Sequence, residues 1–456
     1  MHQRSSLALA LAFIASTLAG CTALLPSPNK ALNHVPRENG YHITRARGGD
    51  LGNNLILLTF SGGGTRAAAL AYGVLEELRD TTIFSNRKTI RLLDDVDNIS
   101  AVSGGSFTAA YYGLFGDRIF KDYEDKFLKK SIQGILIQKL FDPAYWWKSV
   151  FSGFDRTEMA IEYYDENIFE GKTFRDINLH RSPYIEINAT NLGTASRFSF
   201  IQFYFDSICS DLMSMKIARA VTASSAVPLV FTPVVLENYA GECDSTENQY
   251  IKKLMEAQNA GPRIAEIKAR INQYKDRSNH PYIHLIDGGV SDNLGSRATT
   301  ERIDAFHAGA YNMFKSGYPE NILMITVDAD VENTDNLDKS SEKPSLTSTL
   351  EAYAKAQIAL YNRETQIVLE KRLEELKAQL EHDGHPVEIF SLSVDFKSLQ
   401  ETTIKENMNR LPTSLQLSPT EVDQIERVGR NVLRNNPQYR AFLAKTNGHL
   451  ISTNTD

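Results

Sequence analysis

Residues 55–66, LILLTFSGGGTR, open with a short apolar run and end in three glycines, a threonine and an arginine. Such a run is typical of a strand that is buried on both faces of a parallel sheet. The same order recurs at residues 98–107, NISAVSGGSF, where a second candidate strand leads into a serine and two glycines. A helical pattern follows each turn, so the two segments predict a mainly parallel sheet covered by helices.

Ser103 lies at the turn between the second candidate strand and its helix. This is the setting of a nucleophile elbow, a sharp turn that lifts a serine hydroxyl clear of the sheet. The usual pattern is G-x-S-x-G, and here Ala101 replaces the first glycine while keeping the residue small. Five residues alone are weakly specific, so the interpretation depends on the other two glycine turns.

The first of these turns is the triglycine at 62–64. Consecutive glycines before a helix leave backbone N–H groups free to bind an anion, and a developing oxyanion is one such anion. A dinucleotide phosphate is the alternative, because Gly62, Gly64 and Ala67 satisfy G-x-G-x-x-A after a strand. A Rossmann site requires an acidic residue about 20 positions further on, whereas Asp94 lies about 30 positions on. No Lys-Ser or Lys-Thr pair of a Walker loop follows the glycines.

The remaining turn, Asp287-Gly288-Gly289, follows a third candidate strand at 282–286. An aspartate at the end of a parallel strand lies at the carboxyl edge of the sheet, where the ligand sites of α/β proteins gather. A purely structural Asp-Gly turn is the alternative, and this motif taken alone favours it.

Together, the three turns and the segment RAVTASSAVPLVFTPV at 219–234 resemble the patatin-like phospholipase family in their identity and order. The resemblance covers about residues 55–298. It implies a three-layer α/β/α fold with added helices, in which Ser103 is the nucleophile and Asp287 is its base. It also implies that an oxyanion hole is formed by the triglycine turn, Gly62, Gly63 and Gly64. The chain departs from the family at Ala101 and at Ala67, where many members carry glycine.

A serine–aspartate dyad is chemically sufficient without a histidine. A carboxylate within hydrogen-bond reach can take the hydroxyl proton as serine attacks an ester, and partial burial raises its pKa toward that of a useful base. His284 lies three residues before Asp287, and on a strand the two side chains face opposite sides, which disfavours a Ser-His-Asp triad. The other histidines show no metal-ligand spacing, so we expect no metal and no cofactor.

Two further features are candidates for contact with substrate. Arg66 is placed to hold a phospholipid phosphate, with an ion pair at the helix start as the alternative. Trp146 and Trp147 are the two tryptophans of the chain and lie in a lipophilic segment at 131–154. Because tryptophan favours membrane interfaces, we expect this segment to line or cover an acyl pocket or to touch the bilayer. A structural subdomain is the alternative.

Residues 1–20 have the features of an export signal, with an apolar run at 7–15 and small residues before Cys21. The run is too short to span a bilayer, which needs about 20 apolar residues. Leu-Ala-Gly-Cys resembles the bacterial lipobox, whose cysteine is lipidated, and a plain signal peptide is the alternative. By this resemblance Cys21 anchors the protein in the cell envelope, and Thr22 after it favours the outer membrane. Export also favours a disulfide between Cys209 and Cys243, with two buried thiols as the alternative.

Composition limits the class of protein. Hydrophobic residues make up 42% and charged residues 23%, as in soluble globular proteins. The net charge of −7, without a dense basic run, disfavours nucleic acid as a partner. We divide the chain into a signal at 1–20, a tether at 21–50, a catalytic domain at 51–330 with a helical insertion at 248–275, and a C-terminal helical extension at 331–456.

These observations predict a lipid-anchored acyl hydrolase of the phospholipase A or lysophospholipase type, acting on membrane lipid through an acyl-enzyme. An acyltransferase that uses the same dyad is one alternative. A non-catalytic lipoprotein of the envelope that retains the elbow for structural reasons is the other.

Overall fold

The computed structural model describes residues 29–36, 40–49, 52–142, 145, 154–228, 230–258, 261–314, 317–332, 341, 343 and 345–451. The predictions for the export signal, for the lipidation of Cys21 and for Trp146 and Trp147 lie outside these residues. Of the predicted lid segment, 131–142, 145 and 154 are described.

The strands are β1 Asn54–Phe60, β2 Thr81–Ser85, β3 Lys88–Arg91, β4 Val96–Val102, β5 Tyr184–Asn191, β6 Ser196–Ser199, β7 Val234–Glu237, β8 Tyr282–Ile286, β9 Asn321–Asp328, β10 Glu388–Asp395 and β11 His449–Leu450. Among the described residues, eight strands form the central sheet, in the order β10-β9-β1-β4-β5-β8-β7 with β6 paired to β5. Strands β10, β9, β1, β4 and β5 run parallel. Strands β6, β7 and β8 join in antiparallel pairs. Strands β11, β2 and β3 form a small separate sheet.

The α-helices of the described residues are α1 Gly64–Arg79, α2 Gly104–Phe115, α3 Ile119–Tyr123, α4 Ile132–Lys139, α5 Arg156–Asn167, α6 Gln202–Ser207, α7 Ile217–Ser224, α8 Gln249–Glu256, α9 Pro262–Lys275, α10 Gly289–Asp292, α11 Arg297–His307, α12 Leu346–His382, α13 Thr402–Arg410, α14 Pro419–Asn435 and α15 Pro437–Lys445. Within these residues, no helix has both the length and the apolar composition needed to cross a bilayer.

Strand β1 shows how the layers form. Successive side chains of a strand face opposite sides of the sheet, and both sides of β1 are buried. Ile56 and Leu58 pack into one apolar cluster, whereas Leu55 and Leu57 pack into another. The first cluster includes Leu70 and Val74 of α1 and Val422 and Ile425 of α14, and the second includes Ile303 of α11 and Leu369 and Leu373 of α12. The predicted three-layer α/β/α fold is therefore confirmed.

The C-terminal residues are built into this core. Strand β10 extends the sheet, pairing with β9 from Glu388 opposite Asn321 to Asp395 opposite Asp328. Helix α14 packs along α1, where Arg434 Nε donates to the buried Glu77 carboxylate at 2.8 Å. The segment that we expected to be a helical extension thus supplies one edge of the sheet, because alternate apolar residues of β10 complete the core.

Part of the expected tether also belongs to the domain. Tyr41 is fully buried, and its hydroxyl donates to the Ile185 carbonyl at 3.0 Å. Its ring stacks on Tyr184, with ring centres 4.7 Å apart. Burial of this aromatic ring stabilises the packing of the segment against the domain.

Candidate active site

Ser103 stands on a strained turn at the end of β4. Its φ is 49° and its ψ is −122°, a combination that residues other than glycine rarely adopt. The next residue, Gly104, starts α2 so close to the triglycine turn that a Cβ there would lie 1.9 Å from the Gly64 carbonyl oxygen. The two glycine turns are therefore in direct contact, and this packing keeps Ser103 in its strained conformation.

Asp287 follows β8 and faces this hydroxyl. Ser103 Oγ donates a hydrogen bond of 2.8 Å to Asp287 Oδ2. The other carboxylate oxygen, Oδ1, accepts the Gly289 N–H at 2.7 Å. Burial raises the pKa of Asp287 to about 6, although the hydrogen bonds from Gly289 and Ser103 act in the opposite direction. The carboxylate can therefore accept a proton at neutral pH, and the two side chains have the geometry of a nucleophile with its base.

A second layer of hydrogen bonds holds the pair in place. The Ser103 N–H donates to Ser224 Oγ at 2.8 Å, and Ser224 Oγ donates to the Asn188 carbonyl at 2.6 Å. Thr190 Oγ1 donates to the Asp287 carbonyl at 2.8 Å. Sequence reasoning assigned no role to Ser224, Asn188 or Thr190, because none of them is a reactive group with a base beside it.

The three glycines of the turn at 62–64 differ in whether their N–H groups are free to bind an anion. A Cβ on Gly62 would lie 3.3 Å from the Ser103 Cβ, so the turn adjoins the serine. The Gly62 N–H, however, donates to the Asn293 carbonyl at 3.0 Å and is not free to bind an oxyanion. Among the described residues, the N–H groups of Gly63 and Gly64 have no hydrogen-bond partner. They lie at the N-terminus of α1, where the helix dipole favours negative charge.

We expected Arg66 to hold a substrate phosphate, but its side chain is buried and bonded to protein groups. It is 3% exposed, and burial lowers its pKa to about 10. Its guanidinium donates to the Ala329 and Leu411 carbonyls at 2.9 and 2.6 Å and to Thr413 Oγ1 at 3.3 Å. These three hydrogen bonds join the end of β9 to the loop before α14, so the buried guanidinium of Arg66 has a structural role.

The other predicted residues lie away from the pair. Cys209 and Cys243 are joined by a disulfide that links the end of α6 to the loop before α8, with Cα atoms 5.5 Å apart. Among the described residues, neither oxygen of the Asp287 carboxylate contacts a histidine. His284 is exposed on β8.

One group of carboxylates in the described part of the chain has the spacing of metal ligands, and it lies away from Ser103. The oxygens of Glu124, Asp423 and Glu426 are within 4.8 Å of one another. Lys129 forms ion pairs with Glu124 and Asp423, so a cationic side chain already interacts with two of the three carboxylates.

The chain was compared with known proteins by sequence and by structure. The model of the patatin-like phospholipase family matches residues 58–298, more than half of the chain. Human GIVD cytosolic phospholipase A2 is similar in structure, with 11% identity and a TM-score of 0.46, over 93% of this chain and 66% of that one. VipD from Legionella pneumophila is similar with 11% identity and a TM-score of 0.32, over 88% of this chain and 68% of that one. A sequence search of curated proteins gives no match.

Proposed function

The chain belongs to the patatin-like phospholipase family, and on that premise we propose that it hydrolyses carboxylic esters of lipids through Ser103 and Asp287. The observation that carries this proposal is the 2.8 Å hydrogen bond from Ser103 Oγ to Asp287 Oδ2. Two unoccupied backbone N–H groups, on Gly63 and Gly64, lie in the adjoining turn.

The reaction proceeds in two halves. Ser103 Oγ attacks the ester carbonyl carbon while Asp287 takes the hydroxyl proton, and the new oxyanion is bound by the Gly63 and Gly64 N–H groups. When the intermediate collapses, the carbon–oxygen ester bond breaks and Asp287 returns the proton to the leaving alcohol. Water then attacks the acyl-enzyme while Asp287 takes its proton. The bond between the acyl carbon and Ser103 Oγ breaks, Asp287 returns the proton to Ser103 Oγ, and a fatty acid is released.

We propose phospholipid or lysophospholipid in a membrane as the substrate. Lipidation at Cys21 would anchor the enzyme in a bacterial envelope, at the outer membrane, and raise the local concentration of its substrate. Because the Arg66 guanidinium is buried and bonded to protein carbonyls, we expect other residues to bind the lipid head group.

The test follows fatty-acid release from mixed phospholipid vesicles by wild type and by Ser103→Ala. We expect the variant to lose about 1,000-fold or more in rate, because it has no nucleophile. Ser225→Ala is the matched control, since it removes the same hydroxyl from a buried serine whose Oγ donates to the Val221 carbonyl of its own helix.

Equal release by wild type and Ser103→Ala would refute Ser103 as the nucleophile. An added alcohol separates hydrolysis from transfer. Ester formation in place of free fatty acid would identify an acyltransferase that uses the same acyl-enzyme.

A further inference from the structure

A cavity of about 620 Å³ on another part of the domain is lined by five arginines and two glutamates. The arginines are Arg197 on β6, Arg263 and Arg270 on α9, Arg297 on α11 and Arg372 on α12. The chain as a whole carries a net charge of −7. Such a local excess of guanidinium groups in an acidic protein requires a physical explanation.

The acidic partners of these arginines are shared. Glu301 pairs with Arg197 and lies 3.9 Å from Arg270. Asp304, beside the cavity, lies 3.0 Å from Arg263 and 2.7 Å from Arg372, which also pairs with Glu375. Each guanidinium carries five N–H donors. Arg197 and Arg270 also donate to Asn188 Oδ1 and to the Tyr204 hydroxyl. The ion pairs of Arg263 and Arg372 with Asp304 and Glu375 do not use all five of their donors.

Arg297 has no acidic partner in contact. Among the described residues, its guanidinium makes no ion pair or hydrogen bond, and it lies over the Tyr361 ring at 4.5 Å. Asp292 accepts the backbone N–H of Arg297 at 2.9 Å but not its side chain. The side chain is half-buried, and burial lowers the pKa of Arg297 below its ordinary value. The charges of Arg263 and Arg197 act in the same direction, whereas those of Asp292 and Glu301 oppose it.

We propose that this cavity binds a small hydrophilic anion that carries phosphate groups. A guanidinium pairs with two phosphate oxygens at once, so a phosphate beside Arg297 would supply the missing partner and relieve the repulsion from Arg263 and Arg197. The volume is that of a site for a small molecule, and Thr194 and Ser196 in the wall offer hydroxyls in place of an apolar surface. The phosphate belongs either to a soluble compound or to a lipid head group.

The experiment measures binding, and it is independent of ester hydrolysis because all proteins carry Ser103→Ala. Pyrophosphate is titrated calorimetrically into the full chain at low salt. In parallel, sedimentation reports binding to phosphatidylcholine vesicles with and without phosphatidic acid. We expect Arg297→Gln to weaken binding about tenfold or more, since it removes a charge-assisted pair of hydrogen bonds.

Arg263→Gln is the second variant, and it decides the question if Arg297→Gln does not fold. Arg410→Gln is the matched control, because it removes the same charge from a side chain that is 76% exposed on α13. If both cavity variants bind pyrophosphate more weakly and the control binds it as before, the ligand is a soluble phosphate compound. If the cavity variants lose binding only to the vesicles that contain phosphatidic acid, the ligand is a lipid head group. Binding of neither probe, or equal binding by the Ser103→Ala protein and the folded cavity variants, overturns the proposal.

Discussion

At the level of single residues, Asp287 combines burial with a defined set of hydrogen bonds. Burial disfavours its charged form, whereas the Gly289 N–H and the Ser103 hydroxyl favour it. The balance leaves a pKa of about 6, between that of an ordinary aspartate and neutral pH. A base with this pKa is ionised at pH 7 and still basic enough to accept a proton from serine.

This pKa predicts how activity depends on pH. Protonated Asp287 cannot accept the Ser103 proton, so kcat/KM is expected to fall about tenfold for each pH unit below about 6 and to level off above it. The profile is measured with a soluble ester, so that vesicle properties do not change with pH. Asp287→Asn, which keeps the size of the side chain, should be inactive throughout. A profile that stays flat from pH 7 to pH 4 would contradict the assignment of Asp287 as base.

At the level of elements, the site depends on how closely two helices approach the edge of the sheet. Helix α1 begins at Gly64, shortly after β1 ends at Phe60, and helix α2 begins at Gly104, shortly after β4 ends at Val102. Their first turns touch, and this contact places the free N–H groups of Gly63 and Gly64 beside Ser103. The separation of the two helix starts thus sets the distance between Ser103, the proposed nucleophile, and the N–H groups of Gly63 and Gly64, the proposed oxyanion donors.

Gly104→Ala tests this contact. Its Cβ would lie 1.9 Å from a backbone oxygen, which cannot rotate away, so the helix starts must separate. We expect the free energy of unfolding to fall by about 3 kcal/mol, measured in urea, and fatty-acid release to be lost. Gly193→Ala is the control, because its Cβ would lie 3.5 Å from Asn191 Oδ1, an ordinary contact. Full activity in Gly104→Ala would show that the contact is not needed.

At the level of the whole molecule, the C-terminal segment and the catalytic elements share one core. Strand β10 covers the edge of β9, α14 covers α1, and the loop before α14 reaches the triglycine turn. There Ser414 accepts the Thr65 N–H at 2.8 Å, and Leu411 accepts from Arg66. The folded unit that carries Ser103 and Asp287 therefore extends beyond residue 330, where the sequence analysis placed the end of the domain.

Removal of residues 331–456 tests this arrangement. It uncovers the apolar faces of β9 and α1 and leaves the buried Arg66 without two of its three partners. We expect the shortened chain to aggregate on gel filtration and to lack the cooperative thermal transition of the full chain. A soluble, cooperatively melting and active shortened chain would instead support the appended extension that the sequence predicts.

The sequence by itself determined the local motifs, the class of fold and the family. In each motif a strand, a glycine turn and the start of a helix follow one another within about a dozen residues. Backbone sterics act over that range, so the local structure of LILLTFSGGGTR and NISAVSGGSF can be predicted without tertiary contacts. The alternating residues of β10 carry a similar signal, but they lie between two helices in the region that the sequence analysis assigns to a helical extension.

Only the tertiary structure decided which of these groups meet. Ser103 and Asp287 are 184 residues apart in the chain, and their 2.8 Å contact depends on the packing of β4, β5 and β8. Packing also brings the Asn293 carbonyl to the Gly62 N–H and buries Arg66. It likewise places five arginines from four elements around one cavity. Hydrogen bonds and ion pairs act over a few ångströms, so they are set by the neighbours that folding creates and not by distance along the chain.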